Sequence, residues 1–322
     1  MVIVAIWPCF SNNACIVSSP SCSWRRVTCP AFTITLSQPA RRFKISCTDF
    51  YRPRCFCAVN RVKRADQSAR RGLIVKLVGQ KILVTGGGRG IGRALATQLL
   101  RQGNQVAICG RNGAQLEAVR AEHAALHTIV HDISDTGALP RLIEQAVAAM
   151  DGLSVLVNNA GIQHECDFVA GPMALLTTQL LEEMTINLAA PALLARAAIP
   201  YLAVGGPAAI VNVTSGLALA PKKDAPIYCA SKAALHSFTR ALRYQIEDSG
   251  ADISVHDVLM PMVETDMTAG RTGNKLTADD AAKALIAGVE RGKAEIAVGQ
   301  VGILRWLMRL APAVGYRILR DG

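Results

Sequence analysis

The chain has 322 residues, 51% of them hydrophobic, and a formal net charge of +11. This length allows one large α/β domain or two small ones with a full core, and the apolar fraction excludes a chain that is a solvated coil throughout. A membrane-spanning helix needs roughly 18 consecutive apolar residues. The longest apolar stretch, 188–204, is broken by Arg196, so no transmembrane span is expected.

The charge is concentrated at the front. Residues 1–74 hold 12 Lys and Arg against only Asp49 and Asp66, whereas the rest holds 23 basic and 22 acidic residues. Seven of the ten cysteines lie in the first 74 residues and all six histidines lie after them. The basic excess therefore gives no reason to expect a nucleic-acid surface on the body. Residues 1–74 show no sustained helical or strand period. They lack the basic start and long apolar run of a secretory signal, but their Ser, Arg and low acid content suit an organelle transit peptide. This segment is expected first to lie outside the mature protein, for example as an over-extended start, with the transit peptide second and a nucleic-acid or membrane tail third. A cytoplasmic location is expected, or an organelle if the segment is a transit peptide. Cys55 and Cys57 are too close for a zinc pair and no Cys-x-x-Cys occurs, so no metal is expected.

The body, 75–322, alternates regularly. Strands are expected at 81–85, 105–109, 126–130, 154–158, 208–213, 253–259 and 295–298. Helices are expected at 91–102, 114–124, 138–150, 180–202, 228–247 and 278–291. Short continuous apolar strands separated by helices predict an α/β, doubly wound parallel sheet (a Rossmann fold) as a single domain, with ligands at the carboxyl ends of the strands. Cys109, Cys166 and Cys229 fall on apolar stretches and are expected to be buried thiols. In 301–320, Leu304, Trp306, Leu307 and Leu310 alternate with Arg305, Arg309, Arg317 and Arg320. Packing on the body or a partner is expected there, with a substrate cover or a membrane surface as alternatives.

Thr85-Gly86-Gly87-Gly88-Arg89-Gly90-Ile91-Gly92 joins the first strand to the first helix. Glycines there permit a tight turn and close approach of a pyrophosphate to helix N–H groups. NAD binders place an acid about 20 residues on, for the ribose 2′-hydroxyl. The second strand instead closes as Cys109-Gly110-Arg111-Asn112. Arg111 and Arg89 can face a 2′-phosphate, so NADP(H) is favoured and NAD(H) is the alternative.

Together with Asn158-Asn159-Ala160-Gly161 and Tyr228-Cys229-Ala230-Ser231-Lys232, this turn resembles the short-chain dehydrogenase/reductase family over residues 76–298. The stretch 226–236 with 261–267 resembles its DltE-like oxidoreductase branch. The resemblance implies a catalytic tetrad of Asn187, Ser215, Tyr228 and Lys232, with Asn187 holding a relay water and Lys232 also bonding the nicotinamide ribose. It implies cofactor contacts from Gly86, Gly90, Ile91 and Gly92, and from Asn159, Ala160 and Gly161. Asp132 and Ile133 match an adenine contact, although Asp132 also suits a simple cap. The Val263 backbone and Thr265 match positions touching the carboxamide. The family's glycine after the proline is Met262 here.

Tyr228 and Lys232, four apart, share one helix face. An ammonium nearby is expected to lower the phenol from its usual value of about 10. Ser215, with Thr214 as the rival hydroxyl, is placed to bond the substrate oxygen. The expected function is carbonyl reduction, or the reverse oxidation, by hydride transfer on a small molecule. A 3-oxoacyl carrier-protein reductase, a retinoid- or steroid-like dehydrogenase and a non-enzymatic dinucleotide sensor are the alternatives. Segments 218–225 and 267–276 shape the substrate pocket. His164, Glu165 and Asp167 read as polar surface and His236 as structural. Small residues at 189–192 and 230–234 suit close helix approach in a homodimer or homotetramer.

Overall fold

In the computed structural model the described residues are 74–321, preceded by two three-residue strands, Val27–Cys29 and Phe32–Ile34, paired antiparallel. The short ribbon falls where no strand period was read; the other expectations about residues 1–73 lie outside the described residues. The chain divides into units at Ala65 and Asp66, and the second carries the sheet.

The apolar runs form seven strands: β1 Lys81–Thr85, β2 Gln105–Gly110, β3 Leu126–Val130, β4 Val155–Asn158, β5 Ala208–Ser215, β6 Ile253–Met260 and β7 Glu295–Ala297. All pair in parallel, in the order β3-β2-β1-β4-β5-β6-β7. The direction of winding reverses between β1 and β4, which opens a crevice at their carboxyl ends. Side chains alternate across the sheet. Ile82 and Val84 pack with Leu95, Leu99 and Leu285 on one face, while Leu83 packs with Leu142, Ile143 and Leu194 on the other. The first face is covered by α1 Gly90–Arg101, α2 Gly113–Glu122 and α7 Ala278–Glu290. The second is covered by α3 Leu139–Met150, α5 Ala190–Leu202 and α6 Pro226–Ser249.

The long helix begins earlier than expected. Its first section, α4 Met173–Met184, starts behind Pro172 and exposes Met173 and Leu175, so its opening turns carry no inward apolar period. It then widens into a π-helical turn, Thr185–Ala189, before α5. Pro191 has no N–H for the carbonyl four residues before it, that of Asn187, and the hydrogen-bond ladder loosens there. By length and composition alone this 30-residue helix would be long and apolar enough to cross a membrane. Its inner face, including Leu194, Ala195 and Ala198, is sealed in the core of the fold. Ala190 is sealed with them, so the 189–192 stretch presents little of the outward small-residue face that was expected.

After β7 the chain forms α8 Val301–Leu310 and α9 Pro312–Arg320. Pro312, expected to interrupt the segment, instead starts a new helix, where its missing N–H costs nothing. Gly315 lets the two helices close up, since a Cβ there would lie 2.4 Å from Met308 Sδ.

Asn104, 6% exposed, ties the lead-in before β1 to the end of α1. Its amide donates to the carbonyls of Leu77 (2.7 Å) and Leu99 (2.8 Å), and its oxygen accepts from Gln80 N (2.8 Å). Asn104→Ala removes three side-chain bonds to the main chain, two of them buried, and is expected to lower unfolding free energy by about 2–4 kcal/mol. Denaturant titration showing a loss well under 1 kcal/mol would contradict this role.

Candidate active site

Two strand ends are clasped at the crevice. The Thr85 hydroxyl accepts from Asn159 N and Ala160 N, both at 3.0 Å, and the Asn159 amide donates to Thr85 O at 2.9 Å. The glycine turn is packed against this clasp. A Cβ on Gly92 would fall 2.2 Å from Gly86 O and 2.6 Å from Asn159 Nδ2. Gly90 has φ +52°, and a Cβ there would fall 2.9 Å from Thr265 Cγ2. Among the described residues no side chain caps the start of α1, whose free N–H groups face the turn.

A cavity of about 410 Å³ opens over the turn. The residues expected from the glycine turn, the Asn-Asn-Ala-Gly turn and the ends of β2 and β3 line it, as does Thr265. A glycine cradle, an uncapped helix start and a cavity of this size fit a nicotinamide dinucleotide. Val263 lies behind the lining, 3% exposed and bridged to Leu276. The loop accommodates Met262, whose carbonyl accepts from Leu276 N at 3.0 Å. Met267, from the segment expected to shape the substrate pocket, lines the cavity, and so do His131, Gln115 and Ile186, which were not anticipated, because strand and helix periods do not say which side chains near an element's end turn toward the crevice. His131 Nε2 is buried without a partner.

The arginines are less free than the sequence suggests. Arg89 pairs with Asp266 at 3.1 Å, an acid 177 positions away. Asp132 accepts from Ser134 N (2.9 Å) and Ser134 Oγ (2.8 Å), so it caps its own turn while lining the cavity. Burial opposes its ionisation, but the two Ser134 bonds and the Arg111 charge outweigh this and hold it below the usual carboxylate range.

Beside the cavity, three elements (the π-turn, the end of β5 and α6) carry the four residues that the resemblance implies as a tetrad. Asn187, fully buried in the π-turn, accepts from Ile162 N (2.9 Å) and donates to Ile162 O (2.9 Å) and Ser231 Oγ (3.0 Å). Lys232 Nζ donates to Val213 O at 3.0 Å and lies 5.8 Å from the Tyr228 ring centroid. A Cβ on Gly161, which lines the cavity, would meet Asn187 Oδ1 at 3.1 Å and Lys232 Nζ at 3.2 Å. Ser215 ends β5 and accepts from Leu217 N at 3.1 Å. Thr214, its rival, is turned away and donates to Asp257 and to Val258 O.

The electrostatics differ from expectation. Burial pushes the Tyr228 phenol up to about 12, with the Ser215 hydroxyl beside it pulling the other way. The ammonium expected to lower it is itself weakened, because burial brings Lys232 down to about 8 against the attraction of Asp257 and Glu183. Helical spacing places the two groups on one face, but it does not reveal how dry that face is.

Three charged features were not anticipated in their partners. His236 Nδ1 is paired with Asp257, whose other oxygen takes the Thr214 hydroxyl. Glu183 is fully buried; one oxygen accepts from His164 N, the other meets no donor, and burial raises its carboxyl above the ordinary range. Glu165 joins Arg271 (3.1 Å) and Lys222 (3.7 Å), linking the two segments expected to shape the substrate side. Acids inside apolar stretches, as at Asp257 and Glu183, were the available signal. Cys109 and Cys229 are buried as expected, while Cys166 is only half-buried.

The chain matches the short chain dehydrogenase family model over residues 80–275. It is 38% identical over 237 residues to the Bacillus subtilis (strain 168) uncharacterized oxidoreductase DltE, covering 72% of this chain and 92% of that protein. It is similar to a short chain dehydrogenase from Burkholderia cenocepacia J2315 solved in complex with NADP, with TM-score 0.62 and 28% identity, covering 69% of this chain and 96% of that one. It is also similar to a 3-ketoacyl-(acyl-carrier-protein) reductase from Brucella melitensis complexed with NADH, with TM-score 0.64 and 25% identity, covering 70% and 100% of the two chains.

The buried Lys232 amine makes stability depend on pH. Its folded value of about 8 lies below the free value of 10.5, so charging it penalises the folded state fully below pH 8. The penalty recedes as pH rises from about 8 to 10.5. Wild type is therefore expected to gain stability relative to Lys232→Met across that window, read by denaturant titration at several pH values. A pH-independent difference would refute the shift.

Proposed function

This chain belongs to the short-chain dehydrogenase/reductase family and is an NAD(P)-dependent dehydrogenase/reductase; from that premise we propose an NADP(H)-dependent enzyme that interconverts a small-molecule carbonyl and its alcohol. What supports this reading is the convergence of Asn187, Lys232 and Gly161 beside the cavity, with Tyr228 and Ser215 on adjoining elements.

When bound, the coenzyme donates or accepts the hydride. The chain's own residues handle the oxygen and its proton. In the reducing direction Tyr228, pushed up to about 12, keeps its proton at neutral pH and delivers it to the substrate oxygen. The Ser215 hydroxyl bonds the same oxygen and orients it. Lys232, charged below about pH 8, stabilises the phenolate left after transfer. Asn187 fixes Ile162 and Ser231 through its side chain. By its family resemblance Asn187 is also the residue that would hold a water for resupplying the proton.

The preference for NADP(H) rests on Arg111 at the cavity mouth and on the lack of an acid at the end of β2. Asp132 beside Arg111 tempers the field that a 2′-phosphate would meet. A second reading, reduction of a 3-oxoacyl thioester, is favoured by the similarity to a 3-ketoacyl-(acyl-carrier-protein) reductase. A panel of simple ketones, aldehydes and 3-oxoacyl thioesters with NADPH separates the two.

Tyr228→Phe is expected to lower turnover by about 100-fold or more while NADPH still binds, measured by fluorescence titration; retained activity would overturn the acid assignment. Arg111→Asp is expected to move the ratio of kcat/KM for NADPH over NADH toward NADH by about 10-fold or more. An unchanged ratio would remove Arg111 from coenzyme selection.

A further inference from the structure

The carboxyl-terminal helices α8 and α9 carry an apolar strip that the core does not use. Val301 and Leu304 face inward, where a Cβ on Gly216 would meet them at 3.2 and 3.5 Å. Ile303 (73% exposed), Trp306 (65%) and Leu310 (77%), spaced as one helical face, lie outward on α8, and Val314 and Ile318, four apart, lie outward on α9. Arg305, Arg309, Arg317 and Arg320 are exposed on the same two helices, and Asp321 is the single acid in 301–322. Asp321 is engaged by Lys223 at 2.8 Å, and Arg305 by Glu295 at 2.9 Å.

We propose that α8 and α9 form a membrane-surface anchor, which buries the Ile303–Trp306–Leu310 strip among acyl chains and sets its arginines against anionic lipid headgroups. Aliphatic side chains flanked by arginine, with the amphipathic rings of Trp306 and Tyr316, match the chemistry of an interfacial helix. Charge argues against a second copy on the same face, because a two-fold contact would bring this arginine-rich surface against itself. The anchor adjoins the substrate side: Lys223 N donates to Arg320 O at 2.9 Å, within the segment between Ser215 and Tyr228.

The full chain is tested by co-sedimentation with vesicles of phosphatidylcholine alone and of phosphatidylcholine with about one-third phosphatidylglycerol. Binding is expected to the mixed vesicles and not to the neutral ones, and to weaken with added salt. Trp306→Ser with Leu310→Ser, and separately Arg309→Ala with Arg317→Ala, are each expected to reduce partitioning by about 10-fold or more. Three results overturn the proposal: no vesicle binding, equal binding to both vesicle types, or both variants binding like wild type, which would assign the binding to the basic residues 1–74. A fall in molecular mass by light scattering without vesicles, on introducing Trp306→Ser and Leu310→Ser, would instead assign the strip to a contact between copies.

Discussion

The whole site hangs on one side-chain oxygen. Thr85 closes the first strand and its hydroxyl receives two main-chain N–H groups from the turn after the fourth, so two strand ends that belong to opposite windings are held at a fixed separation. Asn159 returns the bond to Thr85 O, so the two turns are cross-linked in both directions. That cross-link defines the glycine requirement. Gly92 lies against the very carbonyl that Asn159 also approaches, leaving no room for a methyl group.

Burial controls the chemistry beside this clasp more strongly than charge pairing does. Tyr228 and Lys232 face each other across 5.8 Å, yet each is driven toward its neutral form by the loss of water. A phenol that stays protonated is suited to giving up a proton, and an amine near its titration point responds to small changes in the surrounding field. Asp257 and Glu183 supply such a field from two different elements.

Much of the fold was legible because the central strands are short, largely aliphatic runs between helices, and the order of motifs along the chain brought Ser215, Tyr228, Lys232 and Asn187 to one end of the sheet. The sequence could not disclose what depends on distant partners. Arg89 reads as a free cation in the sequence although Asp266 lies against it, and the sequence names Thr214 as a rival to Ser215 without showing that the strand pleat turns it toward Asp257. The start of the long helix at Met173 was hidden for a different reason: its first apolar residues face outward, so no period marks them. The same holds for α8, where hydrophobic character alone does not tell an inward face from an outward one.

The Arg89–Asp266 pair limits what Arg89 can offer a ligand. One partner stands in the turn beneath the cavity and the other in the segment after β6, and both line the cavity. An anion drawn to Arg89 would exchange one carboxylate for another partner instead of adding a contact, and because the pair is open to solvent that exchange is worth little. The segment itself does not depend on the pair: Thr268 Oγ1 bonds Val263 O at 2.6 Å and Lys275 Nζ donates to Thr268 O at 2.7 Å.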